Sequence, residues 1–331
     1  MIYTKTQPCQ NTQGTPQGGI VTVARHQDTK TEGESTQPRF LQETRVLNRN
    51  SPGGVPYLDW GGQGPLLHFA HANGFPPGTY TSFVAGLTDQ FHVVGYECRA
   101  LRGTQDAAEF RHWREIAGDL AQFLREIQPG GIIGIGHSLG AVTSLYCAVA
   151  NPGLFRALVL IDPVIVPAQM VPVVAVAVGL GLSSRHSLVA GTRRRRVDWP
   201  DRETLFRAYR AAPAFARWQE IFLRDYIASG TVDNPAGGVR LRYPTEWEAR
   251  IFETVPADVW LSVPRLNGIP VLVLRGEHST TFRRDTLRVM RWILPQATFV
   301  EIAGADHFVP MSQPEATLVA IKGFISQSGL E

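Results

Sequence analysis

Gly136-His137-Ser138-Leu139-Gly140 lies between two segments of different character. Before it, Gly131-Ile132-Ile133-Gly134-Ile135 is a short β-branched apolar run that predicts a buried strand. After it, Ala141 to Ala150 is largely apolar and is halted by Asn151-Pro152-Gly153, which predicts a helix ending at the proline. A strand that turns straight into a helix through a serine needs small residues on both sides, because larger side chains there collide with neighbouring backbone. Gly136 and Gly140 meet that need. Such a turn exposes the Ser138 hydroxyl at the carboxyl edge of a sheet, above the N-terminus of the next helix. A pattern with three fixed positions also arises by chance, and the flanking strand and helix are what give it weight.

Two other stretches fit the same chemistry. Ala297 to Ile302 reads as a strand, followed by Ala303-Gly304-Ala305-Asp306-His307-Phe308-Val309-Pro310 and then a helix from about Gln313 to Ser326. His307 therefore sits on a loop after a late strand, where an imidazole can act as general base on Ser138. The serine precedes the histidine in the chain, one of several orders in which such a pair is found. Upstream, Leu66-Leu67-His68-Phe69-Ala70 predicts a strand leading into His71-Ala72-Asn73-Gly74-Phe75-Pro76-Pro77-Gly78. Acyl transfer needs two backbone N–H donors aimed at the developing oxyanion. The Leu139 amide, just after the serine, is one candidate, and the Asn73 amide, flanked by small Ala72 and Gly74, is the other. An ordinary glycine- and proline-rich turn would read the same way at residues 71–78.

Together these motifs resemble the α/β-hydrolase superfamily, in particular esterase-like members with a helical cap. His71 to Pro76 resembles its oxyanion loop, with alanine where glycine is usual; Gly136 to Gly140 resembles its nucleophile elbow, and Gly304 to His307 its histidine loop. The resemblance covers about 55–165 and 267–325. It implies an α/β-hydrolase fold: a mostly parallel eight-stranded sheet flanked by helices, with an inserted helical cap. The alternation of predicted strands and helices agrees.

The third member of the catalytic set is where the pattern departs. Many relatives carry an aspartate shortly after the strand corresponding to Val271-Leu272-Val273-Leu274, but here the loop reads Arg275-Gly276-Glu277-His278-Ser279-Thr280-Thr281-Phe282. Glu277, Asp285 and Asp306 are candidates in this part of the chain. Asp162, at the end of Ala157-Leu158-Val159-Leu160-Ile161 and before Pro163, is preferred. Haloalkane dehalogenases and some related hydrolases take their acid from that strand, so the resemblance permits it.

The chain has 331 residues, 44% of them hydrophobic, and a net charge of +3, enough for one large core with an insertion and too little charge to argue for nucleic acid. Residues 1–45, rich in Thr, Gln and Gly, predict a disordered extension without a signal peptide. Residues 46–163 and 265–331 predict the core, and 164–264 the cap. Val164 to Leu182 is apolar but interrupted by Pro167, Gln169 and Pro172, so no transmembrane segment is expected. Arg193-Arg194-Arg195-Arg196 reads as a solvated loop. Cys9, Cys98 and Cys147 show no metal-ligand spacing and suit a reducing cytoplasm. No metal or cofactor is expected. Association into a homo-oligomer stays open.

The expected activity is hydrolysis of a small-molecule, apolar carboxylic ester, with Ser138, His307 and Asp162 as the catalytic set and Asn73 and Leu139 as the oxyanion hole. Carbon–carbon bond hydrolysis, perhydrolysis and ligand binding without turnover are the alternatives.

Overall fold

The computed structural model describes residues 20–23, 43–47, 55–103, 105–128 and 130–330. Among the described residues nine strands form one sheet. They are β1 (Ile20–Val23), β2 (Glu43–Leu47), β3 (Val55–Gly61), β4 (Leu66–Ala70), β5 (His92–Tyr96), β6 (Ile132–His137), β7 (Phe155–Ile161), β11 (Val271–Gly276) and β12 (Thr298–Ile302), where β8 (Asp198–Trp199), β9 (Thr231–Asp233) and β10 (Val239–Leu241) make a separate small sheet. The order across the large sheet is β1-β12-β11-β7-β6-β4-β5-β3-β2. Among the described residues of that sheet, only the β2–β3 and β3–β5 pairings are antiparallel. The sheet has nine strands rather than the eight expected. β1 comes from the polar N-terminal stretch and runs parallel to β12, and the rest of residues 1–42 lies outside the described residues.

Strands β4, β6 and β11 are buried along their whole length, as a sheet covered by helices on both faces requires. Their side chains alternate between two apolar cores, as the two-residue period of a strand dictates. Leu158 and Leu160 of β7 enter one core with Leu120 and Leu145, from the helices Arg114–Ile127 and Leu139–Ala150. Ala157, Val159 and Ile161 enter the other with Phe83, Ile321 and Phe324.

The turn from β6 into the helix Leu139–Ala150 passes through one residue, Ser138, with φ 57° and ψ −114°. Glycine is required on both sides of it. A Cβ on Gly136 would lie 2.4 Å from the Gly140 carbonyl oxygen, and one on Gly140 would lie 2.1 Å from that of Ala70. The start of the helix is thereby pressed against the end of β4, where the chain enters residues 71–78.

Between β7 and β11 the chain leaves the sheet. This insertion holds the helices Val171–Gly179, Ser187–Arg193, Arg202–Arg210, Glu220–Gly230 and Thr245–Glu253. It is not wholly helical, because β8, β9 and β10 form their three-stranded antiparallel sheet inside it. Strands of two or three residues are too short to leave a period in the sequence. Trp247 is buried, and Phe252 is half-buried. Among the described residues no helix is long and apolar enough to cross a membrane, and the longest helix in the apolar run 164–182 is the nine-residue Val171–Gly179.

Candidate active site

Ser138 is buried, and its Oγ lies 3.0 Å from Nε2 of His307. His307 belongs to the loop that leaves β12. Its Nδ1 lies 3.2 Å from Oδ1 of Asp162, which directly follows β7 and is fully buried. A carboxylate oxygen accepts, so Nδ1 carries the proton and Nε2 presents its lone pair to the serine hydroxyl. A hydroxyl, an imidazole and a carboxylate in this sequence of contacts can activate the hydroxyl as a nucleophile.

Of the four carboxylates considered from sequence, Asp162 is the one that meets His307. Glu277 accepts the Gly304 N–H at 2.8 Å, and Asp306 accepts that of Phe308 at 2.9 Å. Asp285 lies in the helix Arg284–Ile293 and pairs with Arg283. Asp162 is held in an uncommon conformation, φ 41°, with its N–H donating to the Leu274 carbonyl at 2.8 Å. Two further donors fix the carboxylate. The Ser279 hydroxyl meets Oδ1 at 2.6 Å, and the Gly276 N–H meets Oδ2 at 3.2 Å. Ser279, from the loop that lacks the usual aspartate, is thus a direct partner of the Asp162 carboxylate, a contact the sequence does not reveal. Gly276 also lets the loops meet, since a Cβ there would lie 2.0 Å from the Asp306 carbonyl oxygen.

Leu139 is the first residue of its helix, so its N–H has no acceptor within the helix. Asn73 lies on the loop after β4, which the close approach at Gly140 brings beside that helix start. Its side chain is clamped by the insertion. Nδ2 donates to the Glu248 carbonyl at 3.0 Å, and Oδ1 accepts from the Tyr243 hydroxyl at 3.0 Å. Burial pushes the Tyr243 pKa well above its ordinary value, so the phenol remains a donor at neutral pH. Gly74, φ 83°, leaves room for the Glu248 carboxyl group, which would lie 2.8 Å from a Cβ.

Aromatic rings join the insertion to the core here. Phe75 and Phe308, neighbours in sequence of Gly74 and His307, have centroids 5.3 Å apart, and Trp218 of the insertion packs on both, at 5.6 and 5.1 Å. The arginine cluster is not simply solvated. Arg193 pairs with Glu246 and Glu253, and Arg195 with Glu248, because the helix Thr245–Glu253 presents carboxylates to it. A cavity of about 430 Å³ opens within the insertion, lined mainly by aliphatic side chains such as Val174, Val178 and Leu188; neither Ser138 nor His307 lines it.

A model of the alpha/beta hydrolase family matches residues 69–321. The chain is 27% identical over 279 residues to 2-(acetamidomethylene)succinate hydrolase of Mesorhizobium japonicum, covering 80% of this chain and 89% of that protein. It is 24% identical over 295 residues to an esterase of Mycobacterium tuberculosis, covering 84% and 89%. The crystal structure of E-2-(acetamidomethylene)succinate hydrolase superposes with a TM-score of 0.71 at 23% identity, covering 86% of this chain and 99% of that one.

Proposed function

As the chain belongs to the alpha/beta hydrolase family, we propose that it is a serine hydrolase cleaving small to medium apolar carboxylic esters through an acyl-enzyme at Ser138. The observation that carries this reading is the continuous line from Ser138 Oγ through the His307 imidazole to Asp162. His307 Nε2 takes the serine proton as Oγ attacks the ester carbonyl. The resulting oxyanion accepts the N–H groups of Leu139 and Asn73, and donors of this kind act most strongly when fixed beforehand in a water-poor site. The tetrahedral intermediate collapses as His307 returns the proton to the departing alkoxide. Water then enters and attacks the acyl carbonyl as it loses a proton to His307, which returns that proton to Ser138 Oγ as the acid leaves. Throughout, Asp162 holds the imidazole in its Nδ1–H tautomer and stabilises the imidazolium.

The insertion, 164–264, serves in this reading as a cap whose Trp218 and Tyr226 close over Phe75 and exclude water from the acyl group. The buried thiols Cys98 and Cys147 suit a cytoplasmic location.

The test is covalent labelling with a fluorophosphonate probe, followed by turnover of p-nitrophenyl acetate, butyrate and octanoate. The expected result is labelling of the native chain, none of Ser138→Ala, and turnover lost with it. A native chain that folds and is never labelled would rule this reading out. 2-(Acetamidomethylene)succinate belongs in the same panel, because the relative named for it supplies a specific competing substrate.

A further inference from the structure

His137 ends β6 and directly precedes Ser138, yet the chemistry above does not use it. Its imidazole is fully buried and both ring nitrogens are engaged. Nδ1 lies 2.7 Å from the Tyr80 hydroxyl oxygen, and Nε2 lies 2.9 Å from the backbone carbonyl oxygen of His307. A carbonyl oxygen only accepts, so Nε2 carries the proton and Nδ1 offers a lone pair. The Tyr80 hydroxyl donates to that lone pair and in turn accepts the Ala72 N–H at 3.2 Å. The hydrogen bonds therefore run in one sense, from the residue before Asn73, through Tyr80 and the residue before Ser138, to the main chain of His307. Burial, reinforced by the neighbouring His307, lowers the His137 pKa to about 3, so the ring is neutral at working pH. Burial also pushes the Tyr80 pKa up, which keeps the phenol a donor.

We propose that Tyr80 and His137 are positioning residues for the hydrolytic reaction, Tyr80 selecting the Nε2–H tautomer of His137 and that N–H fixing the main chain of His307. In the other tautomer, the Nε2 lone pair would face the carbonyl lone pairs of His307 across the same gap, and the loop would be pushed off its seat. The imidazole of His307 would then leave the line between Ser138 and Asp162. Neither residue touches substrate; both act through His307. This inference rests on the serine-hydrolase reading for its effect on rate, but not for its effect on tautomer.

The experiment uses the full chain with Tyr80→Phe, His137→Gln, His137→Leu and the Tyr80→Phe/His137→Gln double variant. Glutamine places an amide N–H close to the position of Nε2–H and has no tautomer to select. A displacement of about 1 Å at a reacting group is enough for a loss of about 100-fold, so His137→Leu should lose about that much in kcat with KM within about twofold. His137→Gln should lose only about fivefold, and Tyr80→Phe about tenfold. In the His137→Gln background, Tyr80→Phe should cost nothing further. Equal losses for Gln and Leu, or an equal cost of Tyr80→Phe in both backgrounds, would overturn the proposal, as would rate losses that merely follow the unfolded fraction by near-UV circular dichroism. Nitrogen-15 NMR of the native chain should show one imidazole held neutral as Nε2–H from pH 5 to 9, and Tyr80→Phe should move it towards a mixture. An unchanged tautomer in that variant also refutes the inference. A native chain inert to the fluorophosphonate, with the tautomer shift intact, would refute the hydrolase reading alone.

Discussion

Ser279 and His307 share one oxygen of Asp162: the serine hydroxyl meets Oδ1 at 2.6 Å and the imidazole Nδ1 meets it at 3.2 Å. The shorter contact belongs to the residue with no part in the bond-making steps. Ser279 projects from the loop after β11, so the carboxylate is anchored from the loop where many relatives carry the acid itself. The two positions are in direct contact, and one could take over from the other.

A swap tests that relationship. Asp162→Ser should lower kcat by about 10³- to 10⁴-fold, the scale seen when a serine triad loses its acid. Adding Ser279→Asp should recover at least about tenfold of the loss, because the new carboxylate enters from the neighbouring loop. Esterase assays on the two variants check it, and no recovery in a folded double variant would show that the second position cannot orient His307.

Tyr243→Phe removes the hydroxyl that holds Asn73 Oδ1 and leaves the ring in place. Losing one oxyanion donor outright costs about 2.7–4 kcal/mol in activation free energy. Loosening Asn73, whose N–H is the proposed second donor, should cost less, about 1–2 kcal/mol, or roughly a tenfold fall in kcat. Steady-state kinetics should place the loss in kcat rather than KM.

Acid should destabilise the fold through two histidines. His68 and His137 are fully buried, and burial first, then a neighbouring histidine, lowers each pKa to about 3, against about 6.5 in an unfolded chain. With the folded value below the unfolded one, the unfolded chain binds more protons. The stability is therefore present above about pH 6.5 and is lost as pH falls towards 3, at about 1.4 kcal/mol per pH unit for each ring. Asp225 opposes this. Burial raises its pKa to about 6, so between about pH 6 and 4 the folded chain holds the extra proton. Urea unfolding from pH 7 to 5 should show falling stability, a steeper fall in Asp225→Asn and a shallower one in His68→Gln.

Two glycines should respond oppositely to alanine. Gly140→Ala drives a Cβ to within 2.1 Å of the Ala70 carbonyl oxygen, a main-chain atom locked in β4, and should cost about 3 kcal/mol or abolish folding. Gly118 lies on the exposed side of the helix Arg114–Ile127 with nothing within 4 Å of a Cβ, so Gly118→Ala should stabilise by about 0.5–1 kcal/mol. Thermal melts of the two variants check both signs.

The candidate site is legible in sequence where chemistry forces a local pattern. The elbow at Ser138 needs a strand, two glycines and a helix in direct succession, and all of these are visible in ten or so residues. Asp162 was readable as a strand end before proline, but its rivalry with Glu277 turned on where each carboxylate points, which depends on the meeting of β7 with the β11 loop. The partners of the site were hidden for the same reason. Tyr243 reaches Asn73, and Tyr80 reaches His137, across distances in sequence that carry no periodicity. β1 leaves no clear signal because its four residues lie inside a polar, threonine-rich stretch.

Asn73 takes both of its side-chain partners from the insertion, and under the proposed function this ties admission of substrate to readiness for chemistry. Any excursion that lifts Tyr243 and Glu248 to open a route inward also frees the amide expected to receive the negative charge. The enzyme would thus be disarmed while its doorway is open and armed only once the guest is shut inside, so that a working centre meets the hydrolytic water and not bulk solvent.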